Sequence, residues 1–262
     1  MSIVSLTTDF STRDGNVGVM KGVIWGINLD IKIADISHDI SPQDVYGASL
    51  VLDRQVWYFP PGTVHVVVVD PGVGTTRRPI AAKIGEHYFV APDNGVLSPL
   101  YERAEKQGWE IKIVHTDNPK YWLSEISNVF HGRDIFSPVG AHLASGVPLE
   151  ELGTPIDDPV RFTIPQPQKD GEKVVGEVIN IDYFGNVGTN IRAEHLAGMG
   201  PVKVTVAGRT IEGLVKTFGA GELGELVALI DSFGYLAVAV VNGSALSVIH
   251  SKVGDPVEVA AL

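Results

Sequence analysis

The sequence predicts an α/β molecule in two parts: an N-terminal layered α/β domain with a mostly parallel sheet, then a smaller C-terminal domain of short strands. Three observations carry this. Up to about residue 155, short apolar runs alternate with segments whose apolar residues recur at helical spacing, the pattern of an α/β layer structure. One run, TVHVVVV (63–69), is almost continuously β-branched, as a strand covered on both faces of a parallel sheet requires. Beyond residue 172, apolar strands are separated by Gly-rich turns at short intervals, the pattern of a small barrel or sandwich.

Taken in order, IVSLTT (3–8) reads as the first strand and NVGVMKGVIWGIN (16–28) as a helix, with Val19, Val23 and Ile27 at helical spacing. IKIADI (31–36) is the next strand. SPQDVYGASLVLDRQVW (41–57) is a second helix, for which Ser41 is the expected N-cap, Pro42 the first helical residue and Asp44 a first-turn acid. TPIDDPVRFTIPQPQKDGEK (154–173) contains four prolines and several charges, which suits an extended linker. The expected division is therefore a domain over 1–155, a linker over 156–172 and a second domain over 173–262. In the latter, KVVGEVINID, VKVTVAG, LVALI, YLAVAVV and DPVEVA read as strands and RAEHLAG (192–198) as a short helical piece.

With 262 residues, 44% hydrophobic and 19% charged, the composition is that of an ordinary globular protein with ample core. No apolar run approaches the roughly 18–20 residues that span a bilayer, and MSIVSLTTDF has no basic segment before an apolar one, so neither a membrane anchor nor a secretory signal is expected. There is no cysteine, which excludes disulfides, thiolate nucleophiles and Cys-ligated metals and fits a cytoplasmic location. A net charge of −11 without any Lys/Arg run argues against a nucleic-acid partner.

VHVVVVDPGVGTTRRPI (64–80) raises the main chemical question. It lacks the lysine and spacing of a P-loop and the third glycine of a dinucleotide fingerprint, so a phosphate cradle is disfavoured. Two readings stay open: a tight structural turn with solvated arginines, or a carboxylate, Asp70, presented at the C-terminal end of a central strand where open α/β sheets place ligand groups. TTDFSTRDG (7–15) has the same form, with Asp9 either capping a turn or receiving a ribose diol. VFHGRDIF (129–136) sets His131 just before a helix starting near Asp134. DYFGNVGTN (182–190), DSFGYLAV (231–238) and VNGSA (241–245) read either as plain turns or as lips for a planar ring. No His pair falls at i,i+4, and G-x-S-x-G is absent, so neither a metal site nor a serine triad is called for.

The ordered set TTDF, DISHDI, VVDPGVGTTRR, APDNGVL, FHGRDIFSPVGAHLA, IDYFGNVGTNI and FGYLAVAVVNGSA resembles the S-adenosylmethionine hydroxide adenosyltransferases, the adenosine-forming S-adenosylmethionine hydrolases related to fluorinase and chlorinase. The resemblance covers nearly the whole chain. It implies that the C-terminal domain is a β-barrel and that the subunits form a homotrimer with the ligand at a subunit interface. It also implies that S-adenosyl-L-methionine is the substrate, with no cofactor and no metal.

By the same resemblance Asp70, Arg77 and His131 form the catalytic set, and Arg78 is left to the surface. The sulfonium is already a good leaving group; the weak nucleophile, water, is what needs help, through alignment behind C5′ and through groups that take its proton or favour hydroxide. Asp70 is expected to orient the imidazole. Asp9 matches the ribose-diol acid, while Asp182 and Asn186 match positions that hold the methionine end, with Phe184 packed nearby. Phe130 and Phe233 would flank the nucleoside, and Ser232 and Asn242 would meet adenine or its neighbours. Gly188 stands where the halogenating relatives have an aromatic that stacks on adenine, leaving that contact to Tyr235 or Phe233. Two readings compete: halide transfer to C5′, and a non-catalytic adenosine or S-adenosylmethionine-binding module. Halogenating relatives carry an aromatic at the positions of Asp70 and His131, and a long insertion where this chain has only residues 81–95. A pure binder has no use for the three residues together.

Overall fold

The computed structural model describes residues 2–262, which form two compact units divided in the chain between Thr163 and Ile164. The first unit runs β1 (Ile3–Thr8), α1 (Asn16–Ile27), β2 (Lys32–Ser37), α2 (Val45–Gln55), β3 (Val64–Val68), β4 (Pro79–Ile84), β5 (His87–Pro92), α3 (Ser98–Gln107), β6 (Ile111–His115), α4 (Ser137–Ala144) and β7 (Thr154–Pro155). Its strands form one sheet in the order β2-β1-β3-β5-β4-β6-β7. The β1–β2, β1–β3 and β3–β5 pairs are parallel, and the hairpin β4 returns antiparallel between β5 and β6, so β1, β2, β3, β5 and β6 all point one way. From β1 the chain moves to β2 on one side and then to β3 on the other. That reversal opens a crevice at the C-terminal ends of β1 and β3.

The valine run explains why β3 is central. Val64, Val66 and Val68 join the core under α1 and α4, while Val67 and Val69 join the core under α2 and α3. Alternation puts successive side chains on opposite faces, and here both faces are covered. Each fully buried valine contributes roughly 1.5–3 kcal/mol relative to exposure. Asp70 follows Val68 by two residues and keeps its parity, toward α4.

Two local expectations are corrected. In α1 the buried stripe is Val17, Met20 and Ile24, and Val19 is exposed, so the inward face is turned from the one marked by Val19 and Val23. The second helix starts at Val45, with Asp44 and not Ser41 as N-cap; the Asp44 carboxylate accepts the Gly47 N–H at 2.8 Å. The reason is Gln43, whose φ of 65° breaks helical continuity after Pro42. Its N–H is held by Asp9 Oδ2 at 2.8 Å, a contact no local pattern could reveal.

Residues 158–167 have no regular secondary structure. Their first part is fastened to the first unit, through Val160 N–H to the Asp93 carboxylate at 2.7 Å and Phe162 N–H to Ser98 Oγ at 3.0 Å.

The second unit contains β8 (Gln168–Asp170), β9 (Lys173–Ile181), β10 (Val187–Arg192), β11 (Val202–Val206), β12 (Arg209–Glu212), β13 (Leu226–Ile230), β14 (Tyr235–Val240), α5 (Ala245–Ile249) and β15 (Pro256–Ala261). The order β12-β11-β15-β9-β10-β14-β13, antiparallel throughout with β8 on β9, makes a nearly closed barrel-like sheet around Val178, Val187, Ile191, Val204, Leu236, Val238 and Val257. RAEHLAG supplies only a 3₁₀ turn, Ala193–Leu196. Among the described residues no helix is long and apolar enough to cross a membrane.

Candidate functional site

Asp9 and Asp70 stand just beyond the C-terminal ends of β1 and β3, the two strands that flank the reversal. The loop after β3 folds back so that Arg77 grips Asp70. Arg77 Nε donates to Asp70 Oδ1 at 3.0 Å and Nη2 donates to Oδ2, a fork that fixes the guanidinium plane. The pair is deeply placed, with the two side chains only 7% and 4% exposed. Arg77 Nη2 also reaches His131 Nδ1 at 2.9 Å. The guanidinium carbon lies 5.2 Å from the centre of the Phe136 ring. Asp70 is thus linked to His131 through the Arg77 guanidinium.

His131 immediately precedes a single π-helical turn, Gly132–Phe136, which leads into α4. Such turns are uncommon inside helices and favour functional positions. An arginine can only donate, so Nδ1 of His131 accepts, and the neutral ring carries its proton on Nε2. Burial pushes the His131 imidazole below its ordinary value and the Arg77 charge adds to this; Asp70, Asp134 and a backbone hydrogen bond at Ser127 pull the other way. The neutral ring follows. Arg77 Nη1, meanwhile, is buried and has no hydrogen-bond acceptor among the described residues. A buried charged donor of this kind is suited to hold an oxygen, a hydrogen bond that contributes about 1.5–3 kcal/mol.

The β1 loop meets this cluster edge-on: the Phe10 and Phe130 rings lie 5.8 Å apart at 74°. The β3–β4 loop packs on the segment before His131 at Gly74, where φ is +76° and a Cβ would fall 2.2 Å from the Asn128 carbonyl oxygen. Gly74→Ala is therefore expected to destabilise the first unit by about 1–3 kcal/mol. All four tryptophans, Trp25, Trp57, Trp109 and Trp122, lie in that unit, so denaturation followed by tryptophan fluorescence measures the loss.

Arg78, expected at the surface, is instead bound. Its Nε and Nη2 donate to Asp93 Oδ2 at 2.9 and 2.6 Å, and Nη1 reaches Asp158 Oδ1 at 2.8 Å. The two neighbouring arginines thereby take different carboxylates, Arg77 Asp70 and Arg78 Asp93 with Asp158.

The second-unit candidates fall into two groups. Asp182 accepts the N–H groups of Phe184 and Asn186 and the side-chain amide of Asn186, all at 2.8–2.9 Å, which makes a rigid turn. That turn leaves Phe184 73% and Tyr183 99% exposed. It lies against the segment after Asn242, because Leu246 N–H donates to the Gly185 carbonyl at 2.9 Å. Ser232, Phe233 and Tyr235 lie elsewhere. Ser232 and Phe233 occupy the β13–β14 turn and Tyr235 opens β14, meeting the far end of β10 at the Arg192–Tyr235 pairing. The six residues of β10 put about 20 Å between the two groups. The structure therefore sets them at opposite ends of one strand. Tyr235 is buried under the Arg192 guanidinium, 4.2 Å away, with its hydroxyl paired to the same side chain. At Gly188 a Cβ would lie 2.3 Å from Asn180 Oδ1, so an Asn180 side chain occupies the place of a larger residue.

Local sequence did not reveal Asn94, Asp93 or Phe136. The signal for the first two was APDNG, a carboxylate and an amide at the C-terminal end of β5, the strand beside β3.

The comparisons with known proteins bear on the whole chain. Residues 4–153 match the SAM hydroxide adenosyltransferase N-terminal domain and residues 176–258 the corresponding C-terminal domain. A Salinispora tropica protein named (R)-S-adenosyl-L-methionine hydrolase is 36% identical over 98% of this chain and 97% of its own. The Thermus thermophilus protein of the same name is 35% identical over 98% and 99%. A fluorinase from an Actinoplanes species is more distant, 32% identical over 90% of each. The crystal structure of an uncharacterized conserved protein from Thermotoga maritima superimposes with a TM-score of 0.90, at 39% identity, over 98% of this chain and 99% of that one. With both halves matched in order and full-length relatives above 30% identity, the chain belongs to the SAM hydroxide adenosyltransferase family.

Proposed function

We propose that this protein hydrolyses S-adenosyl-L-methionine to adenosine and L-methionine, with Asp70, Arg77 and His131 as its catalytic residues. The observation that carries the reading is the buried Arg77 guanidinium, forked on Asp70 and bonded to His131, with its Nη1 unpartnered at the sheet reversal. A water oxygen accepting from Nη1 would lie beside a fixed positive charge that favours its hydroxide form. That oxygen bonds to C5′ as the C5′–S bond breaks. The bonding pair goes to sulfur, methionine leaves as a neutral thioether and one proton is released. Neutral His131 accepts from Arg77 at Nδ1, so its role in this reading is to hold the guanidinium, and the proton passes to solvent. The sulfonium needs neither acid nor cofactor to depart.

Asp9, beside Phe10 and Phe130, suits the ribose diol, and Asp182, Phe184, Asn186 and Asn242 form the group offered to the rest of the substrate. The exposed Tyr183–Phe184 pair on a rigid turn supports a homotrimer in which the site is completed at a subunit interface, since exposed aromatics of this kind anchor protein contacts. We place the functional boundary between an N-terminal α/β domain and a C-terminal barrel within 156–172. Absence of cysteine supports a cytoplasmic location.

Incubation with S-adenosylmethionine, followed by chromatography, is expected to yield adenosine and methionine in equal amounts. Substrate that persists at high protein concentration while adenosine still binds would instead make the chain a binding module. 5′-Chloroadenosine formed in concentrated chloride would make it a halide transferase.

A further inference from the structure

The β3–β4 loop that carries Asp70 and Arg77 is held at both ends by one short segment. It leaves the sheet at Val69 and returns at Arg78, and both residues are gripped from the end of β5. Asn94 Nδ2 donates to the Val69 carbonyl at 2.9 Å, one residue before Asp70. Asp93 receives Arg78 through Nε and Nη2, and its N–H donates to the Arg78 carbonyl at 2.9 Å, one residue after Arg77. The Asp93 side chain is 2% exposed and also accepts the Val160 N–H at 2.7 Å. Asn94 is braced in turn, with Oδ1 accepting the Val96 N–H at 3.2 Å.

We infer that Asp93 and Asn94 are positioning residues for the Asp70–Arg77–His131 set. They touch none of the three directly. Asn94 sets where Asp70 leaves the sheet, and Asp93 sets where Arg77 enters it. Asp93 has a second effect. Two adjacent arginines face two buried carboxylates, and the claim of Asp93 on Arg78 leaves Arg77 for Asp70. Without it Arg78 keeps only Asp158 and becomes a competitor for Asp70, a mispairing that the native arrangement rejects. The consequence is for turnover more than affinity, because displacement of a guanidinium by about 1 Å is enough to lose about 10²-fold in rate.

This inference rests on the hydrolase reading above, so the test includes controls for that reading. Wild type, Asn94→Ala, Asp93→Asn, Asp93→Glu, Arg77→Ala and Asp117→Asn are compared for kcat, KM and the pH dependence of kcat. Asp117 accepts Thr154 N–H and Oγ–H at 2.9 and 2.8 Å at the β7 edge and serves as a structural control. Asn94→Ala is expected to lower kcat about 10²-fold with KM within about threefold. It should also move the rising limb of the pH profile to higher pH, as Arg77 drifts from the attacking oxygen. Asp93→Asn should lose more, Asp93→Glu should recover part of that loss, and Asp117→Asn should leave kcat and the pH profile unchanged. Should Asp93→Asn fail to fold, Asn94→Ala decides alone. A folded Asn94→Ala with the kcat and pH profile of wild type overturns the inference while inactive Arg77→Ala leaves the hydrolase reading standing; if Arg77→Ala is also fully active, both fall.

Discussion

Arg77→Lys is expected to lower kcat for S-adenosylmethionine hydrolysis by about 10³-fold while the protein stays folded. Lysine keeps the charge and loses the shape. In the native site one planar group meets both oxygens of Asp70, reaches His131 Nδ1 and still presents a buried N–H at Nη1. A single ammonium cannot span those directions from one stem, and it is more strongly hydrated than a guanidinium, so the exchange is not conservative at a forked site. The loss should fall on kcat with little change in KM, because the missing contact is made to the attacking oxygen and not to the substrate at rest. Steady-state kinetics with circular dichroism on the same sample checks it, and a KM-only effect would move Arg77 out of the reaction and into binding.

A second large effect concerns acid stability and involves histidines the reaction does not use. His65 lies on β3 with no exposed surface, 2.6 Å from Ser5 Oγ and 3.2 Å from His87 Nδ1, its ring stacked 5.0 Å from Phe89. Burial, with a smaller contribution from His87, lowers its pKa to about 3 from an ordinary 6.5. Between those values the unfolded chain binds a proton that the folded chain refuses. The stabilisation is therefore complete above pH 6.5 and is lost as pH falls toward about 3, roughly 1.4 kcal/mol per pH unit. Urea unfolding followed by tryptophan fluorescence at pH 7 and pH 4.5 should show wild type losing about 2–3 kcal/mol more than His65→Gln. Equal losses in both would mean that His65 titrates normally in the folded protein.

The strand pattern made the first unit legible, because an unbroken valine run leaves few alternatives to a central strand. It also placed Asp70, whose position follows from counting along that strand. What stayed hidden depended on contacts distant in sequence. Nothing near Arg78 shows that Asp93, at the end of the neighbouring strand of the β4–β5 hairpin, will claim it, so a residue beside a charged loop reads as solvated. Ser41 has every mark of a cap, yet Asp9 turns the backbone at Gln43 and moves the helix start to Val45. In the barrel, the aromatic turns 182–186 and 231–235 look alike as strings. Only the antiparallel run of β10 against β14 shows that they lie at opposite ends. That Arg77 stands between Asp70 and His131 stayed hidden for a similar reason, since sequence names the members of a cluster without the order in which they touch.

The central claim is that a water oxygen displaces methionine at C5′, and isotopic water tests it directly. Turnover of S-adenosylmethionine in water enriched in ¹⁸O, with the adenosine analysed by mass spectrometry, should place one heavy oxygen in the 5′-hydroxyl and leave the methionine unlabelled. Adenosine without the label, or label in the methionine carboxylate or sulfur, would contradict attack of water at C5′.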